Sequence, residues 1–157
     1  MSASRAKESV LILMADDDED DRLMAKEALD EARLINEMDF VEDGVELMDY
    51  LYRRGKYEEM KGKPMPGLIL LDLNMPRKDG RLALTEIKAD RRLQIIPIVI
   101  LTTSKAEEDV LRTYDLGVSS FITKPVTFEG LVEIMKSLAK YWFDIVTLPP
   151  GVEETGK

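Results

Sequence analysis

Leu68-Ile69-Leu70-Leu71-Asp72-Leu73-Asn74-Met75-Pro76 is the stretch on which the fold turns. Four aliphatic residues in succession leave no polar face, so Leu68 to Leu73 reads as a strand covered on both sides, as in a parallel sheet. Asp72 would be costly to bury at the end of such a run without a partner. Asn74 and Pro76 then mark a turn.

Similar runs lie on either side of it. Val10 to Ala15 and Met38 to Glu42 precede it, and Ile98 to Leu101 and Ser119 to Thr123 follow, with Pro97 tolerated at a strand start. Between them lie amphipathic segments. Ala25, Ala28, Leu29 and Ala32 fall at helical spacing, as do Leu47, Tyr50 and Leu51 within Val45 to Arg54, and Leu84 and Ile87 within Leu82 to Asp90. Glu107 to Leu116 reads as a fourth helix, acidic in its first turn and capped by Gly117. A last helix begins near Thr127, with Leu131, Ile134, Met135, Leu138 and Trp142 in one apolar stripe. Five βα units imply an α/β architecture, a doubly wound parallel sheet with helices on both faces.

The composition limits the chemistry. The chain has 157 residues, 45% hydrophobic and 34% charged, enough for one domain with a real core. It contains neither histidine nor cysteine, which excludes a Ser-His-Asp triad, a thiol nucleophile, disulfides and His- or Cys-bound metals. Oxygen donors remain, and these suit hard cations such as Mg²⁺. A net charge of −9 argues against a nucleic-acid partner. No apolar stretch approaches the roughly 18 residues of a membrane span, and the expected location is cytoplasmic.

Ligands of an open α/β sheet collect beyond the carboxyl ends of its strands. Asp16, Asp17 and Asp18 follow the first strand, Asp72 ends the third, Thr102 and Thr103 follow the fourth, and Lys124-Pro125 follows the fifth. Clustered carboxylates repel one another and favour a divalent cation between them. Asp72 is then placed to attack phosphorus, with Thr102 and Lys124 neutralising charge on the transferring oxygens. Asp18 to Asp21 read instead as the negative first turn of a helix. Asp16, Asp18, Asp20 and Glu27 also match the ligand spacing of an EF-hand, but Asp21 stands where its turn glycine belongs.

The acid pair Asp16-Asp17, Asp72 within Asp-Leu-Asn-Met-Pro, Lys78-Asp79-Gly80, Pro97 with Thr102, and Lys124-Pro125 occur in the order that resembles the receiver domain of two-component response regulators. The resemblance runs from about Val10 to Trp142. It implies a flavodoxin-like (βα)5 fold with strand order 2-1-3-4-5, Asp72 as phosphoacceptor, and Mg²⁺ held by Asp17, Asp72, the backbone carbonyl of Asn74 and, through water, Asp16. It further implies that Thr102 and Lys124 bind phosphoryl oxygens, and that Thr102 and Phe121 form a switch pair that biases the surface of the fourth helix, fifth strand and fifth helix.

Residues 8–148 are expected to form the receiver and 149–157 a flexible tail, with no output domain. Such a protein is not an enzyme beyond self-phosphorylation and autodephosphorylation. Having no histidine, it must take its phosphoryl group from another protein or a small acyl phosphate. The loop Arg53-Arg54-Gly55-Lys56-Tyr57 and the cluster Tyr141-Trp142-Phe143 with Ile145, Val146 and Leu148 resemble single-domain regulators of bacterial phytochrome histidine kinases. That resemblance implies a sensor histidine kinase as partner and a homodimer through the fourth helix, fifth strand, fifth helix and residues 141–148. A competing reading is a Mg²⁺-dependent phosphatase of the haloacid dehalogenase type. That chemistry wants an acid two residues after the nucleophile, and Asn74 cannot protonate a leaving group.

Overall fold

Five short parallel strands form one sheet in the order β2-β1-β3-β4-β5: β1 (Ile12–Ala15), β2 (Met38–Val41), β3 (Leu68–Asp72), β4 (Ile98–Thr102) and β5 (Ser120–Thr123). The computed structural model describes residues 11–32, 37–102, 106, 108–109, 120–123 and 127–147, the side chains of 102, 120, 121, 123 and 138–147 excepted. The order reverses between β1 and β3, where a ligand crevice is expected.

Alternation along the strands divides the core in two. Leu13, Ala15, Ile69, Leu71, Ile98 and Ile100 pack beneath α2 (Gly44–Tyr52) and α3 (Gly80–Ala89). Their neighbours Ile12, Met14, Leu68, Leu70, Val99 and Leu101 pack against α1 (Glu19–Glu31) and the C-terminal helix, Phe128–Thr147. Both faces are therefore apolar, which is why the strands read as unbroken hydrophobic runs. Burying each of the leucine, isoleucine, valine and methionine side chains contributes about 1.5–3 kcal/mol relative to leaving it in water. Of the expected terminal stripe, Leu131 and Met135 are buried and Ile134 packs against the same cluster. The side chains of Leu138 and Trp142 lie outside the described residues, as do Gly117 and residues 149–157. Of the expected fourth helix only Glu108 and Asp109 are described, both helical.

The helix starts follow from their caps. Asp18 accepts hydrogen bonds from the amides of Asp20 and Asp21 at 2.8 and 3.1 Å, and Glu19, Asp20 and Asp21 place negative charge at the positive end of α1. Asp43 caps α2 through the amide of Glu46 at 2.7 Å. Asp79 caps α3 through the amide of Arg81 at 2.7 Å, so that helix starts at Gly80, two residues before its first apolar position. The stretch after α2 is not an irregular loop. Arg53 ends α2 in the left-handed conformation (φ 55°), and Gly55–Met60 forms a 3-10 helix. Arg53 is itself buried, its guanidinium donating to the carbonyls of Tyr50 (2.9 Å) and Pro64 (3.0 Å).

Candidate functional site

The register places Ala15 beside Leu71, so the residues that follow, Asp16 and Asp72, emerge side by side at the carboxyl ends of β1 and β3. Asp16 is fully buried, Asp72 is 3% exposed, and Asp17 lies open to solvent. One carboxylate oxygen from each of the three lies within 4.8 Å of the others. Two like charges at such a separation, at an effective dielectric of about 20, repel by about 3–4 kcal/mol. Two oxygens on opposite sides of one Mg²⁺ or Ca²⁺ ion stand about 4–5 Å apart. The donor set, all oxygen and all anionic, therefore fits one hard divalent cation.

Neighbouring groups fix the two buried acids. Asp16 accepts from the amide of Asp18 at 2.9 Å, and Asp72 accepts from the amide of Asn74 at 3.0 Å. The second bond folds the β3–α3 loop back over the end of its own strand and leaves Asn74 exposed beside the cluster. The carbonyl of Leu73 receives the amide of Gly80 at 3.0 Å. A Cβ on Gly80 would stand 2.7 Å from the Cα of Leu73 and would overlap the carbonyl oxygen of Asp72, so only glycine lets α3 approach this closely. Within the same loop Arg77 takes a left-handed backbone (φ 66°), at a cost of about 1–3 kcal/mol for a non-glycine residue.

Of the remaining expected site residues, Thr102 ends β4 opposite Thr123, and Phe121 pairs with Ile100. Their side chains lie outside the described residues, as does all of Lys124. Thr123 immediately precedes Lys124 at the carboxyl end of β5, the edge that also carries Asp72. Arg22 escaped the sequence reading. Its guanidinium donates to the backbone carbonyl of Asp16 at 2.8 Å and approaches Glu42 at 3.8 Å, tying α1 to the acid pair. Only its position one helical turn after Asp18 hinted at this.

The model of the response regulator receiver domain matches residues 12–136, and the chain belongs to that family. Among its relatives are regulators that the match covers nearly in full. The response regulator Rcp1 of Synechocystis sp. is 39% identical over 139 residues, 88% of this chain and 92% of Rcp1. The structure of the phosphorylated cyanobacterial phytochrome response regulator RcpA aligns with a TM-score of 0.74 at 41% identity, covering 89% of this chain and 98% of RcpA. The Mn²⁺-bound form of Rcp1 aligns with a TM-score of 0.73 at 38% identity, covering 89% of this chain and 99% of that one. Family membership leaves the phosphatase reading without support. No helix among the described residues is long and apolar enough to cross a membrane.

Proposed function

We propose that this protein is a single-domain response regulator, its receiver spanning residues 8–148, that takes a phosphoryl group from a sensor histidine kinase onto Asp72. The observation that carries this reading is the convergence of Asp16, Asp17 and Asp72, two of them buried, where strand order reverses. An Asp72 carboxylate oxygen attacks phosphorus, and an O–P bond forms as the P–N bond to the donor histidine breaks and its imidazole leaves. Asp16, Asp17 and Asp72, with the carbonyl of Asn74, would hold Mg²⁺, and the bound cation would offset charge on the phosphoryl oxygens. Thr102 and Lys124 bind those oxygens, and Phe121 follows the movement of Thr102. Similarity to Rcp1 and to RcpA supports a phytochrome-type kinase as donor. The output is a phosphorylation-dependent protein contact, including a homodimer through the surface that ends in residues 141–148.

Incubation with acetyl phosphate and Mg²⁺ tests the site. The protein is expected to gain the mass of one phosphoryl group, and Asp72→Asn to gain none. A mass gain retained in Asp72→Asn overturns the assignment.

A further inference from the structure

The first turn of α2 touches the loop that carries Asn74, and one carboxylate serves both. Asp43 Oδ1 caps α2 through the amide of Glu46, while Oδ2 accepts from Arg77 Nη1 at 3.2 Å. The left-handed backbone of Arg77 accompanies this pairing. Beside it, a Cβ on Gly44 would overlap the carbonyl oxygen of Lys78 and stand 2.6 Å from the Cβ of Lys78, so α2 and the loop backbone are in direct contact. At its other end the loop returns to the site through the Asn74 amide on Asp72.

From this juxtaposition we infer that Asp43 and Arg77 are positioning residues for the cation site: their ion pair holds residues 74–79 against α2 and so sets where the Asn74 carbonyl stands relative to Asp16, Asp17 and Asp72. The inference rests on the cation site proposed above. It gives the strained backbone at Arg77 a function and explains why Asp43, outside the acidic cluster, is nearly buried. Arg77 is 62% exposed, so the pair is weak in isolation. Its effect is read in the placement of a loop rather than in the stability of the fold.

Two conservative variants separate positioning from charge and from folding. Asn accepts the N-cap hydrogen bond as Asp does, so Asp43→Asn keeps α2 capped. Asn also tolerates a left-handed backbone, so Arg77→Asn relaxes no turn. Mg²⁺ affinity measured by titration calorimetry is expected to fall roughly three- to fivefold in each, with melting temperatures near that of the wild type. The double variant should lose no more than either single one, because both remove the same contact. Arg77→Lys should restore wild-type affinity.

Through-space electrostatics predicts something different: losing a nearby anion weakens Mg²⁺ binding, whereas losing a nearby cation strengthens it. Opposite shifts in the two variants, additive losses, unchanged affinity, a fall in affinity that tracks the melting temperature, or no restoration by Arg77→Lys would each overturn the inference. Absence of Mg²⁺ binding by the wild type would instead remove the cation site on which it rests.

Discussion

Gly80 sits where the first turn of α3 meets the backbone that ends β3, and its missing side chain lets Asp72 keep its place. In an ordinary helix position alanine would be better than glycine by about 1 kcal/mol. Here the added methyl must displace main chain on both sides of Asp72 and Leu73, a form of overpacking that typically costs about 1–3 kcal/mol. The steric term wins. Gly80→Ala is expected to lower the unfolding free energy by about 1 kcal/mol, measured by urea denaturation, and to slow phosphorylation by acetyl phosphate. The place of Asp72, by contrast, was legible from sequence, because an acid closing four aliphatic residues marks the end of a buried strand and is costly to bury without a partner. Its partner Asp16 was legible for the same reason, and the register that joins them follows from parallel pairing of β1 with β3.

At the scale of elements, the 3-10 segment is fastened to α2 through one acid. Glu46 accepts from Tyr57 Oη at 2.5 Å, from the backbone amide of Glu42 at 2.9 Å and from Lys56 Nζ at 3.0 Å. Burial pushes its carboxyl up, but the bonds from Tyr57, Glu42 and Lys56 outweigh it and hold the group below its ordinary value of 4.5. Because the folded state binds the proton less tightly than the unfolded one, Glu46 stabilises the fold above about pH 4.5, and that contribution is lost as pH falls through its lowered value. Glu46→Gln should therefore be less stable than the wild type at neutral pH, by about 1–2 kcal/mol, with the gap closing in acid. A gap that is constant across a pH series of thermal melts would contradict the assignment. Burial, reinforced by Asp39, likewise raises the hydroxyl of Tyr50, which packs edge-on against Tyr57 at 5.0 Å.

This element was the part least visible in the sequence. From sequence, Arg53 to Tyr57 reads only as a loop before the third strand. Yet Arg53 is buried: besides the carbonyl of Tyr50 its guanidinium reaches those of Lys63 and Pro64, about ten residues away, and no local periodicity encodes such partners. Strands and helices were legible because two apolar faces and a 3.6-residue period are local properties. The Asp43–Arg77 contact joins positions 34 residues apart and depends on two glycine-mediated approaches, so it emerged only from the folded chain.

For the whole molecule, one sheet with helices on both faces gathers Asp16, Asp17 and Asp72 at the carboxyl ends of its strands. In the proposed function, phosphorylation would add covalent charge at the end of β3, and a two-state domain would convert that into a change in what its surface binds. The beryllofluoride complex, a mimic of the phosphorylated state, is expected to shift the protein toward dimer in sedimentation velocity; an unchanged distribution would contradict the dimer as its output. Every such consequence depends on where the phosphoryl group goes. Borohydride reduction of the protein phosphorylated in Mg²⁺, followed by peptide mass spectrometry, locates it directly, since reduction of an aspartyl phosphate leaves homoserine in its place. Homoserine at position 72 and at no other acid is the expected result, and homoserine at Asp16, at Asp17 or at none of the three would contradict the account.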